Sequence, residues 1–239
     1  MILKRVLTGV AAMVLGLSLS QAQANILVVD DFINLGPIPT TSENTWSYAG
    51  ATDAIGGVRD FSKNNGGQAV FGGGGSKATL TTTASGSAFH VMYDGAAGTG
   101  TSYLNPRVDI TDYAGGYLSV LTPDVALNGS TTATATLMWS ATPTGSVQTS
   151  TLVLTGGPTL GGYHFKISDF SSPIPTTGLQ NIACIQVRLA GLGGSVATPG
   201  LTSFSRIFFS DTLVPEPSSF VLAALGVIGV VVARRRKSA

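Results

Sequence analysis

The candidates for acid-base or thiol chemistry are two histidines (His90 and His164), one cysteine (Cys184) and scattered carboxylates. His164 alternates with Tyr163 and Phe165, which places it on the polar face of a strand-like run rather than in a general-base pocket. Cys184 lies in Ile182-Ala183-Cys184-Ile185-Gln186-Val187, an apolar strand pattern in which a lone thiol packs as a small hydrophobe. A single cysteine allows no internal disulfide and no cysteine-based zinc site. Neither a G-x-S-x-G elbow nor an H-E-x-x-H pair occurs, so serine-hydrolase and zinc-peptidase chemistry lack their motifs. Acid-base hydrolysis of a glycosidic bond asks only for two carboxylates at a set separation, and the acidic residues between 25 and 213 leave it open.

Two binding chemistries have candidate residues. Asp30 and Asp31 open the central segment and Asp211 closes it, so their oxygens could hold a structural Ca²⁺ if the two ends of that segment meet. No dense D-x-D-x-D loop accompanies them, and no other cofactor is expected. Trp46-Ser47-Tyr48, in a polar stretch with Asn44 and Thr45, is the candidate for stacking on a sugar ring, whereas Trp139 falls on an apolar face and reads as core. Gly72 to Gly75, followed by Ser76-Lys77, misses the spacing of a phosphate loop and reads as a turn or mobile loop.

The elements that must position these residues are strands. Short runs rich in Val, Thr, Ile, Phe and Tyr recur between Gly, Pro, Asn and Asp clusters: 78–83, 88–93, 116–122, 131–140, 148–154, 162–167, 182–190 and 203–209. The run 131–140 is the clearest, with Ala133, Ala135, Leu137 and Trp139 on one face and threonines at 132, 134 and 136 on the other. No helical period is sustained, and the pattern predicts an all-β antiparallel sandwich or barrel. Asp94-Gly95 and Ser168-Asp169 read as turns.

Both ends of the chain look like addresses. Lys4-Arg5, the apolar run Val6 to Leu19 and Ala22-Gln23-Ala24 have the three parts of a secretory signal peptide, with cleavage expected after Ala24. At the other end, Pro215 and Pro217 bracket Glu216 in an extended segment. An uncharged run to Ala233 follows, then Arg234-Arg235-Arg236-Lys237. Sixteen helical residues, Ser218 to Ala233, cover about 24 Å, a short span that flanking cations can seat in a bilayer. Those cations fix the terminus on the cytoplasmic side. On physics alone the tail serves equally as a lasting single-pass anchor.

The order Val214-Pro215-Glu216-Pro217, apolar span, arginine-rich end closely resembles the PEP-CTERM sorting signal of Gram-negative bacteria. The resemblance implies a temporary hold in the inner membrane, cleavage near Pro-Glu-Pro by an exosortase-type transpeptidase, and delivery to the cell surface or an exopolysaccharide matrix. The central segment is similar, more weakly, to galactose-binding-like jelly rolls of the carbohydrate-binding-module kind. The carrying residues are Val28-Val29-Asp30-Asp31-Phe32, Val108-Asp109-Ile110-Thr111-Asp112-Tyr113 and Phe165-Lys166-Ile167-Ser168-Asp169-Phe170. The organisation expected is a signal peptide (1–24), an exported jelly-roll-like β-sandwich (25–213) and a sorting signal with a transmembrane helix (214–239).

Charge removes one function class. Two of the 13 cations lie in the leader and four in the tail, and only Glu216 of the 12 acids lies outside 25–213, leaving seven cations against eleven acids in the central segment. A net charge of −4, although the whole chain sums to +1, gives no basic stripe for nucleic acid. The expectation is a non-enzymatic structural or adhesive matrix protein, with a glycan-binding module or a carbohydrate-active enzyme as alternatives.

Overall fold

Period-two alternation is clearest in the strands at 78–82 and 132–140, whose buried faces belong to two facing layers. The computed structural model describes residues 24–33, 45–49, 51–64, 69–73, 76–96 and 103–213. Residues 1–23 of the expected signal sequence, including Ala22, and the sorting tail from Val214 onward lie outside the described residues. Among the described residues no helix is long and apolar enough to cross a membrane.

Thirteen strands are described: β1 (Ile26–Asp30), β2 (Thr45–Ala49), β3 (Val58–Lys63), β4 (Ala69–Gly73), β5 (Ala78–Thr82), β6 (Ser87–Tyr93), β7 (Tyr117–Leu121), β8 (Thr132–Ser140), β9 (Val147–Thr155), β10 (Gly162–Lys166), β11 (Ile182–Leu192), β12 (Gly200–Phe204) and β13 (Arg206–Ser210). One four-residue helix, α1 (Thr176–Leu179), precedes β11. All strand pairs are antiparallel. Six strands form one sheet in the order β2-β3-β6-β11-β8-β9, four form a second (β1-β13-β7-β10), and three form a third (β12-β5-β4). This is an all-β antiparallel sandwich, as the strand pattern predicts.

The core lies between the six-stranded sheet and the two smaller ones. Phe61, Phe89, Val91, Ile185, Val187 and Leu189 from the large sheet share one apolar cluster with Leu80, Phe204, Leu118, Val120, Phe165, Ile207 and Phe209. Phe89 and Phe204 meet with ring centroids 4.6 Å apart. Each such side chain contributes about 1.5–3 kcal/mol on burial, and with no disulfide this burial holds the fold together. Trp139 and Cys184 are core residues, as their apolar surroundings imply.

The run 203–209 is not one strand. Phe204 ends β12 in the three-stranded sheet, while Ile207 and Phe209 belong to β13 in the four-stranded sheet. All three side chains are buried, although three steps from 204 to 207 break the alternation. Ser205, whose N–H donates to the Leu121 carbonyl at 3.0 Å, is the corner that reverses parity. The glycines at 72 and 73, expected in a turn or mobile loop, form the end of β4.

Antiparallel pairing of β1 with β13, Ile26 opposite Ser210, brings the ends of the sandwich together. Gly116 makes that closure possible. A Cβ on it would collide with the Ser210 carbonyl oxygen and sit 2.8 Å from the Asp211 Cα. Gly116→Ala is therefore expected to lose about 1–3 kcal/mol in urea unfolding, and an unchanged midpoint would mean that the end of β13 is not held there.

Candidate functional site

A bulge turns the first acid inward. In β1 the register slips between Val28 and Asp30, so Val29 is the extra residue, and both Val29 and Asp30 are fully buried. Asp30 there meets Arg59 of β3, which is also fully buried: Nη2 lies 2.5 Å from Oδ1 and Nε donates to Oδ2 at 2.5 Å, a bidentate fork. The Tyr93 hydroxyl donates to Oδ2 at 2.7 Å and the Phe32 amide to Oδ1 at 2.8 Å. Burial first, and then the nearby Asp30, push the Tyr93 phenol well above its usual range, so it keeps the proton it donates.

The second carboxylate of Arg59 is Asp53, at 3.1 Å, carried by the turn between β2 and β3 and placed by the Asp30–Ala54 bridge. Burial works against the guanidinium charge, but Asp30 and Asp53 outweigh it and hold the Arg59 pKa above its ordinary value. The Phe32 ring lies 5.1 Å from the guanidinium carbon. Phe32 has φ of 56°, a conformation costly for a bulky side chain, which the Asp30 turn and this stacking sustain.

Of the three acids expected to share a cation, the structure brings two together and adds another. One oxygen each of Asp30, Asp31 and Asp53 lie within 4.8 Å of one another. Asp211 stands instead at the edge of the β1–β13 pair, accepting from the Asn25 N–H at 3.2 Å. A carboxylate offers about four acceptor positions, and Asp30 has four donors on it. Arg59 supplies two of these donors, and Tyr93 and the Phe32 N–H one each.

The outer face of the six-stranded sheet is a second arrangement. Register aligns Asp60, Met92, Gln186, Thr136 and Thr151 in one row, and Ser62, His90, Arg188, Thr134 and Val153 in the next. Contacts confirm the shared face: Gln186 Nε2 reaches the Met92 sulfur at 3.1 Å, and Ser62 Oγ lies 3.0 Å from His90 Nδ1. Burial, and then the Arg188 charge, lower the His90 pKa to about 4, which leaves a neutral ring of low basicity.

The other candidate reactive groups are engaged. His164 Nε2 donates to the Thr159 carbonyl at 3.1 Å, so Nδ1 accepts from Ser119 Oγ at 3.0 Å. Burial, together with Asp94, pushes the Cys184 thiol up to about 12. Register pairs Trp46 with Phe61 and Tyr48 with Arg59; the side chains of Trp46 and Tyr48 lie outside what is described. Tyr103 is 40% exposed with the Arg107 guanidinium 5.0 Å from its ring centroid.

Residues 213–237 match the family model of the PEP-CTERM protein-sorting motif, so the chain carries a signal for export and processing at the cell envelope, with an exosortase-class enzyme as processing partner. Among curated proteins the chain has no match. Similar solved structures include the family 11 carbohydrate-binding module of Clostridium thermocellum in complex with a β-1,3-1,4-mixed-linked tetrasaccharide (16% identity, 81% of this chain and 99% of that one, TM-score 0.40). The solution structure of CtCBM11 is another (15% identity, 81% and 99% coverage, TM-score 0.40). An agarase, AgWH50C, is a more distant one (9% identity, 77% of this chain and 24% of that one, TM-score 0.36). These likenesses are too distant to carry a ligand or an activity across.

Proposed function

We propose that the chain is a surface or extracellular-matrix protein of a Gram-negative bacterium whose mature sandwich is a non-enzymatic structural or adhesive component of an exopolysaccharide layer. The sorting motif carries this reading. The leader is removed after Ala24, and the tail span with Arg234 to Lys237 holds the domain at the inner membrane until cleavage near Pro215-Glu216-Pro217. The absence of catalysis is supported by the state of the described candidates: a His90 whose pKa burial lowers to about 4, a His164 whose Nδ1 faces a fully buried Ser119 hydroxyl, and a buried thiol.

The test is intact mass and fractionation in a native host, comparing wild type with Pro215, Glu216 and Pro217 all changed to alanine. Wild type is expected to lose its tail and reach the surface or medium, while the variant stays full length in the inner membrane. A tail kept by both would make the chain an ordinary anchored periplasmic protein.

The outer sheet face favours a second reading, direct contact with glycan. Its amide, guanidinium and hydroxyl groups are spaced by strand geometry, about 4.8 Å between neighbouring strands, and suit a hydroxyl-rich polymer. Gln186→Ala with Arg188→Ala is expected to lower retention on immobilised exopolysaccharide, and Trp46→Ala tests the aromatic candidate alongside. Equal retention by wild type and the double variant would end this reading. Neither reading calls on a cation: Arg59, Tyr93 and the Phe32 N–H together engage Asp30, and equal thermal stability in Ca²⁺ and in chelator is expected.

A further inference from the structure

We propose that removal of the leader creates an ionic clasp between the new α-ammonium of Asn25 and the Asp211 carboxylate, closing the β1–β13 pair just ahead of the sorting motif. This rests on the export reading above. The Asn25 nitrogen lies 3.2 Å from Asp211 Oδ1, and the contact is reciprocal, because the Asp211 N–H donates to the Asn25 carbonyl at 3.3 Å. Thr212 Oγ1, 3.2 Å from the same Oδ1, helps to fix the carboxylate.

In the precursor that nitrogen is a neutral amide. Hydrolysis of the Ala24–Asn25 bond consumes one water and leaves a carboxylate on Ala24 and an amine on Asn25, which takes up a proton at neutral pH. The same atom then carries a full positive charge at ion-pair distance from Asp211, with no movement of the strands. A hydrogen bond charged only on its acceptor becomes an ion pair charged at both ends.

The surroundings leave Asp211 as the partner. Tyr113 stays neutral because burial, with Asp112 and Asp211 adding, raises its pKa. Asp112 adds a further negative charge near the clasp from the turn at 111–113, and Lys166 stands two strands beyond Ser210 in the register Ser210–Tyr117–Lys166. The consequence concerns the tail. β13 ends at Ser210, so any pull on Pro215 loads the β1–β13 ladder at its last rung, where the clasp sits. Leader cleavage thus strengthens the fold at the point that later bears tail processing.

The experiment follows the α-amine by NMR between about pH 6 and 10 in protein processed by an exporting host, in wild type and Asp211→Asn. Wild type is expected to titrate above the usual range of about 7.7–8.0, and Asp211→Asn to return to it. A second variant with one alanine inserted between Ala24 and Asn25, which moves the ammonium outward, is expected to titrate in the usual range as well. Identical titration in all three, with Asn25 confirmed by mass as the first residue of wild type, overturns the clasp and leaves the export reading standing. A processed chain that starts elsewhere overturns the clasp together with the assigned cleavage site.

Discussion

Arg59→Met is expected to destabilise the sandwich by about 3–5 kcal/mol, seen as a large fall in the urea midpoint. The cause is what remains behind. Asp30 is fully buried and Asp53 nearly so, and both are held by one guanidinium; without it, two carboxylates stand in an interior that cannot solvate them. A domain of this size has about 5–15 kcal/mol in all, so a single substitution takes a large part of it. Asp30→Leu combined with Arg59→Met is expected to recover part of the loss, because it removes the fully buried orphan charge and leaves only Asp53, whose side chain keeps some contact with solvent. Once Arg59 is gone, Asp30, Asp31 and Asp53 form an uncompensated group of oxygens within 4.8 Å, so the single variant, and not wild type, is expected to gain thermal stability from Ca²⁺. A loss under about 1 kcal/mol for Arg59→Met would show that the pair is not an anchor of the fold.

This cluster marks where the sequence stops being legible. The strands β5 to β11 could be read from alternation, since Thr, Val and Ala at period two bury one face and expose the other whatever lies opposite. The sorting tail could be read because its chemistry is linear. Asp30 could be singled out but not understood: its environment depends on a one-residue bulge at Val29 and on a partner 29 positions away, and neither has a local signature. Arg59 sits between Val58 and Asp60 in a stretch with no clear apolar period, so β3 passed unnoticed along with its buried cation. Ser205 hid for the opposite reason, as an apolar run continued across a change of sheet. The ends of the sandwich do meet as expected, but Asp211 finds Asn25 there rather than Asp30. Residues that pair within a strand's own period were visible; those that depend on register between distant strands were not.

Register also produces the second large effect, a pH dependence that His90 imposes on stability. Ser62 faces it from β3 and Arg188 from β11, so protonation places a second cation beside Arg188 on a ring that burial already disfavours as a charge. The folded pKa falls to about 4 from an ordinary 6.5. Between those values the unfolded chain binds the proton and the folded one does not, so folding stability is complete above about pH 6.5 and declines as pH drops. At about pH 4 most of the loss is reached, about 3 kcal/mol. Carboxylates titrate in the lower part of the same window, so the informative quantity is a difference: wild type should lose about 3 kcal/mol more than His90→Gln between pH 7 and 4. Arg188→Gln, by removing the adjacent charge, should move the His90 titration upward in an NMR experiment and narrow the gap. Parallel stability curves for wild type and His90→Gln would mean that the ring is solvated and that the outer sheet face is more open at its centre than the register of β3, β6 and β11 implies.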